Sequence, residues 1–204
     1  LQGGFVNKQI MSKKVRILLF LILPLVLLTG FRYLIFAPAT AESPAAVTSE
    51  QEAGKLEWLS LSEAQTRQAK DGKPILIDLY TDWCGWCKVM DRKTYARDEV
   101  AAYIRANFHP VKINAESKQS MEWRGKNFAY SPASRIHELA IFFTQGQLSF
   151  PHTIFMMKGV DEPQAIPGYL EVPDMELLLK FFGEGHFANE SFSTYQKRFS
   201  PSWK

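Results

Sequence analysis

Cys84 and Cys87, the only two cysteines of this 204-residue chain, stand three positions apart in Trp83-Cys84-Gly85-Trp86-Cys87-Lys88. Two thiols at that spacing can close a disulfide with each other and reopen it, exchanging electrons with a second disulfide. With no other cysteine present, they cannot belong to a larger disulfide framework. Two other uses remain open. A static disulfide would close so short a loop that it constrains the unfolded chain little. A zinc site needs about four ligands, and His109, His137, His152 and His186 are scattered rather than set at ligand spacing. No metal and no cofactor is expected.

The segments around the pair must hold it where a thiol becomes reactive. Pro74-Ile75-Leu76-Ile77-Asp78-Leu79-Tyr80 is short, apolar and bounded by turn residues, as a buried strand would be, with Asp78 the odd residue in it. Thr81-Asp82-Trp83 leads into the cysteines, and Lys88-Val89-Met90 continues as a helix. Cys84 is thereby expected at a strand-to-helix junction, where free N–H groups and the helix dipole favour thiolate over thiol. Cys87 falls one turn later on the same face. Cys84 is the expected nucleophile and Cys87 the resolving thiol, with Gly85 keeping the backbone between them permissive and Cys84 approachable. Elsewhere, helices are expected from a Ser62 N-cap to Lys70, over Asp98–Asn107, over Ser134–Phe143, and over Pro173–Phe182, the last closed by Gly183 and Gly185. Strands are expected at Phe108–Asn114, at Thr153–Lys158 and near Ala165. Strands alternating with helices imply an α/β sheet covered on both faces.

The run Ile77 to Lys88, with Lys73-Pro74 before it and Val89-Met90-Asp91 after it, resembles the active-site strand, loop and helix of the thioredoxin superfamily. It is most similar to the exported branch, which includes SoxW-like periplasmic thioredoxins and the C-terminal domain of DsbD-type thiol:disulfide interchange proteins. The resemblance spans roughly residues 56–182. It implies a thioredoxin-like fold: a central mixed sheet with helices on both faces, carrying here an inserted segment and a C-terminal extension. It assigns Asp78 as the buried acid that moves the resolving cysteine's proton, a role that suits a carboxyl whose pKa burial has raised. A strand-edge Asp facing water is the plainer alternative. Lys112 matches the family's lysine near that acid, or else is a lysine whose stem snorkels along the surface. Pro151 matches the cis-proline opposite the active site, and Phe150 before it the residue that helps set substrate choice. Trp83 and Trp86 support the site. His137 and His152 read as ordinary surface or core histidines. The insertion, about residues 115–145, is expected to pack as an extra helix, and the aromatic tail Phe187–Lys204 to fold back as packing.

Spacing does not set the direction of electron flow. A histidine between the cysteines would stabilise the Cys84 thiolate and make the disulfide more oxidising. Gly85-Trp86 supplies no charge, and the Trp86 indole instead shields the site and offers an apolar contact. The expectation is a reductase of protein disulfides. A disulfide oxidase or isomerase, or a non-catalytic module that binds partners through the Phe150-Pro151 groove, are the alternatives. A reductant in an oxidising compartment needs a donor, expected to be a membrane thiol relay or another thioredoxin-like protein.

The N-terminal segment is an address rather than a chemistry. Residues 1–10 read as upstream or added sequence before a start at Met11. Lys13, Lys14 and Arg16 precede an apolar run from Ile17 to Phe31, and Ala39-Thr40-Ala41 offers a cleavage site. Residues 11–41 are expected to be a cleaved signal peptide or a retained anchor. A span needs roughly 20 apolar residues, and Pro24 and Arg32 make this one borderline. Residues 42–54 read as a linker and 55–204 as the thioredoxin-like domain, placed in the periplasm or otherwise outside the cytoplasm. The charge balance agrees. The whole chain carries 24 basic and 21 acidic residues, but residues 1–41 hold five of the basic ones and no acid. The remainder has 19 basic and 21 acidic residues, net −2, which removes the electrostatic case for nucleic acid.

Overall fold

Strand β1 (Ile75–Tyr80) has a neighbour on each side and helices above and below. The computed structural model describes residues 56–203. The expected export segment and linker lie outside the described residues. β1 pairs in parallel with β2 (His109–Asn114) and antiparallel with β7 (His152–Met156), and β8 (Gln164–Pro167) lies antiparallel outside β7. The sheet is therefore mixed, in the order β2-β1-β7-β8. Leu59 adds a single parallel bridge to Val111 of β2.

A strand buried on both faces reads as a continuous apolar run, and the pleat then sorts its side chains. Ile75, Ile77 and Leu79 join Val111, Ile113, Ile154 and Met156 under α1 (Leu61–Asp71) and α4 (Glu138–Phe143). Leu76 and Phe155 face the other way. They pack with α2 (Gly85–Met90), α3 (Asp98–Asn107) and α5 (Val172–Gly183). Period two puts Asp78 on this second face, in a core that is largely apolar.

Most helix ends fall where local chemistry places them, with two corrections. Ser60, not Ser62, caps α1: its hydroxyl accepts the Glu63 N–H at 3.2 Å, and Gly72 closes the helix in the left-handed region. The spacing Ser60-x-x-Glu63 follows the pattern of a capping box. The helix expected over Ser134–Phe143 begins only at Glu138, because Arg135 takes a positive φ of 59° and His137 is the cap, its Nδ1 accepting the Leu139 N–H.

The insertion is likewise not an extra helix. It forms two small hairpins, β3–β4 (Met121–Trp123 with Lys126–Phe128) and β5–β6 (Tyr130–Ser131 with Ile136–His137). The first turns through Arg124 and Gly125, both at positive φ, the geometry of a two-residue hairpin loop. An arginine is an uncommon first residue for such a turn, and its guanidinium is held by Asp161. Trp123 plugs the hairpin into the α4 side of the core, edge-on to Phe143.

The tail folds back as expected. After a short 3-10 turn, α6 (Phe192–Arg198) packs Tyr195 against Phe181 of α5. Its far end is held by Glu176, a fully buried carboxylate that accepts from Lys180, from the Ser202 hydroxyl, and from the backbone N–H groups of Ser202 and Trp203. Burial alone would raise this carboxyl's pKa, but those donors outweigh it and hold it at about 2. The stabilisation is thus fully present above the ordinary glutamate range and lost as pH falls through that value. Glu176→Leu is expected to cost about 2–4 kcal/mol at pH 7 by chemical denaturation, since several hydrogen bonds to a charge are lost together. Hydrogen exchange should show residues 200–203 released in that variant.

Candidate active site

The chain leaves β1 at Tyr80, makes one turn through Thr81-Asp82-Trp83, and enters α2 with Cys84 as its N-cap. The Cys84 N–H donates to the Thr81 carbonyl at 3.1 Å, which fixes the turn. Cys84 and Cys87 form a disulfide with Cα atoms 5.3 Å apart, and the Cys87 N–H donates to Cys84 Sγ at 3.0 Å. A helix-terminal N–H is therefore already directed at the sulfur that would carry negative charge after reduction. Neither φ nor crowding demands glycine at position 85, since a Cβ there would meet nothing within 4 Å. This corrects the expectation that Gly85 supplies backbone freedom; its contribution is limited to leaving the approach to Cys84 open.

Both cysteines are nearly covered, whereas Trp83 and Trp86 are 67% and 62% exposed. Each indole leans on a second ring. Trp83 stands edge-on to Phe150 at 6.0 Å between centroids, and its Nε1 donates to Glu116 at 3.0 Å. Trp86 lies against Tyr169 at 5.4 Å. The Phe150–Pro151 bond is cis, and the Pro151 carbonyl accepts from the Gly168 N–H at 2.8 Å. The disulfide thus sits between two aromatic pairs. One pair joins the active-site turn to the Phe150–Pro151 loop, and the other joins α2 to the Gly168-Tyr169 turn.

Beneath the helix, Asp78 and Lys112 are neighbours in the β1–β2 register, and Lys112 Nζ lies 2.8 Å from Asp78 Oδ2. Asp78 is buried, and its Oδ1 has no hydrogen-bond partner among the described residues. Burial raises its carboxyl pKa to about 6 despite the opposing pull of Lys112. Lys112 also pairs with Asp91, and its ammonium lies 5.1 Å from the ring centres of both Trp58 and Tyr80. Burial works against that cation, but the two carboxylates more than offset it and raise its pKa. Met90 and Asp91 follow Cys87 by three and four residues, so all three share a helix face. Met90 packs beside Leu76 and Asp91 reaches Lys112, which turns Cys87 toward the face of β1 that carries Asp78.

The structure therefore brings Cys84, Cys87, Trp83, Trp86, Phe150 and Pro151 to one end of the sheet, with Asp78 and Lys112 paired on the sheet below them. It adds residues that sequence reasoning missed. Asp91 was within reach, lying one helical turn after Cys87. Trp58, Glu116 and Tyr169 arrive from segments distant in sequence and carry no local signal. Among the described residues, no group of histidine, cysteine and acidic side chains could hold a metal ion.

A family model described as thioredoxin-like matches residues 57–156, from before α1 to the end of β7. The domain belongs to the thioredoxin superfamily. A disulfide bond reductase, DsbH of Chlamydia pneumoniae, is 33% identical over 78 residues, covering 37% of this chain and 47% of that protein. The chain spans less than half the length of the curated relatives it matches. Among solved structures, a putative disulphide-isomerase from Bacteroides thetaiotaomicron superposes with a TM-score of 0.47 at 20% identity, covering 69% of this chain and 99% of that one. A thioredoxin-fold protein from Helicobacter pylori also gives 0.47, at 15% identity, covering 62% and 84%.

The raised pKa of Asp78 has a sign that can be tested. The folded state holds this proton more tightly than the unfolded chain, so the fold is favoured below the ordinary aspartate range and loses stability as pH rises through about 6. Asp78→Asn keeps the shape without the charge. It is expected to gain about 2–3 kcal/mol at pH 7.5 and to flatten the stability profile between pH ~4 and ~6, measured by urea denaturation across pH.

Proposed function

We propose that this domain is a thiol:disulfide reductase acting on protein disulfides outside the cytoplasm. The observation that carries the reading is the Cys84–Cys87 disulfide at the start of α2, on the helix face turned toward buried Asp78. In the reduced protein the Cys84 thiolate attacks one sulfur of a substrate disulfide. A mixed disulfide forms, and the other substrate sulfur leaves as a thiolate that takes a proton from water. Asp78, ionised above about pH 6, accepts the proton of the Cys87 thiol. The Cys87 thiolate then attacks Cys84 Sγ, closing the intramolecular disulfide and releasing the second substrate sulfur as a thiolate, which also takes a proton from water. Two electrons pass from the dithiol to the substrate, and a separate thiol donor must return them. Lys112 and Asp91 keep the acid near the point where it can take and give a proton.

The reducing direction is supported by the uncharged Gly85-Trp86 pair between the cysteines, which does nothing to stabilise the Cys84 thiolate selectively. It is also supported by the likeness to a protein named as a disulfide bond reductase. Export is supported by the sequence pattern before residue 42. Among the described residues no helix is long and apolar enough to cross a membrane.

Three measurements test this. The reduced wild type should reduce insulin disulfides, with Cys84→Ser losing the activity by at least about a thousandfold because the nucleophile is gone. Its equilibrium potential against glutathione should fall nearer the thioredoxin value of about −270 mV than the roughly −120 mV of a strong oxidant. A value at the oxidising end would reverse the direction. In the reduced protein, alkylation near neutral pH should label Cys84 before Cys87, since only Cys84 stands at the helix N-terminus.

A further inference from the structure

The loop that faces the disulfide is tied by a side chain that the reaction above does not use. His152, the first residue of β7, is 1% exposed, and its Nδ1 is hydrogen-bonded to the carbonyl oxygen of Ser149. A carbonyl only accepts, so Nδ1 carries the hydrogen and the tautomer is settled by its partner. Burial lowers the imidazole's pKa, and the Ser149 carbonyl opposes that shift without cancelling it. The bond spans the whole Ser149-Phe150-Pro151 turn.

Its effect on the turn is specific. The Ser149 carbonyl is taken inward by His152, and the Pro151 carbonyl by the Gly168 N–H. Between them, the backbone N–H and C=O of Phe150 have no hydrogen-bond partner among the described residues. The Phe150 ring is half-buried against the α1–α4 core and also meets Trp83. One residue packed on Trp83, the neighbour of Cys84, therefore presents a free donor and a free acceptor, with its ring anchored and both flanking carbonyls already used. That is the pattern an extended peptide needs in order to add by strand pairing.

We propose that His152 is a positioning residue for polypeptide substrates: by holding the Ser149 carbonyl it sets the Phe150 backbone to pair with an extended substrate strand next to its disulfide. This rests on the oxidoreductase reading and deepens it, since it makes the protein selective for disulfides within polypeptides over small disulfides that have no strand to pair. His152 touches neither sulfur nor substrate. Losing its bond leaves the Phe150 loop free to turn and weakens substrate docking, which a disulfide without a peptide backbone does not require.

The test compares reduction of insulin with reduction of hydroxyethyl disulfide by the full chain, for the wild type, His152→Leu, His152→Asn and His152→Gln. Leu fills the site without a donor. Asn places an amide N–H close to the position of Nδ1, and Gln places its amide one bond too far out. The ratio of insulin to small-disulfide kcat/KM is expected to fall about tenfold in His152→Leu and His152→Gln, through KM rather than kcat, as for one lost hydrogen bond. His152→Asn should restore it to within about twofold of wild type. Should His152→Leu fail to fold, the contrast between Asn and Gln carries the same decision. A wild-type ratio in both Leu and Gln overturns the proposal, as does a proportional loss on both substrates that Asn does not rescue. A wild type inactive on both substrates instead overturns the oxidoreductase reading itself.

Discussion

The constraint on which this domain turns is a carboxyl group in the middle of its central strand. β1 has hydrogen-bonded strands on both sides and helices on both faces, so water cannot solvate residue 78. A charge there has one partner within reach, Lys112 of the adjacent strand, and that contact satisfies only one of its two oxygens. An apolar residue at this position would suit the fold better. Its retention in a strand that is otherwise Ile, Leu and Tyr marks the place where the fold gives up stability, and the cysteine helix lies directly above that face. Asp91 and the rings of Trp58 and Tyr80 make sense as consequences. They hold a cation beside Asp78 without letting solvent in, so the group stays poised between its two protonation states.

The second organising feature is how the sulfurs are framed. Four separate segments meet at the open end of the sheet: the turn after β1, the start of α2, the loop before β7 and the turn after β8. Each contributes an aromatic ring, and the rings pair across segment boundaries. The rim is thereby stiffened by ring contacts and by two hydrogen bonds, from Trp83 to Glu116 and from Gly168 to Pro151.

Much of this is legible in the sequence. The apolar run Ile75–Tyr80, the turn residues at Asp71–Pro74 and the helical spacing after Cys84 put the dithiol at a strand-to-helix junction, where the structure has it, and the mixed sheet with helices on both faces follows the resemblance. What was not legible fails for physical reasons. The hairpin at Arg124-Gly125 lacks the usual Asn or Asp at its first position, and the contact of Arg124 with Asp161 comes from a distant loop. The helix expected from Ser134 is cut short by a left-handed Arg135 and a histidine cap, neither of which has a period to detect. His152 looks like any core histidine in sequence; only the direction of its Nδ1 sets it apart. Long-range pairs such as Trp83–Glu116 depend on where the insertion folds, which no local pattern encodes.

The unpartnered oxygen of Asp78 has one more implication. In the cycle proposed here, that oxygen takes up a proton each time Cys87 is freed to attack and gives it up before the next turnover. The same proton relieves the least comfortable spot in the core. The domain should accordingly tighten and loosen in step with its own chemistry, most rigid while the proton is resident and softest once it has gone. Turnover and conformational stiffness would then be two readings of a single protonation event.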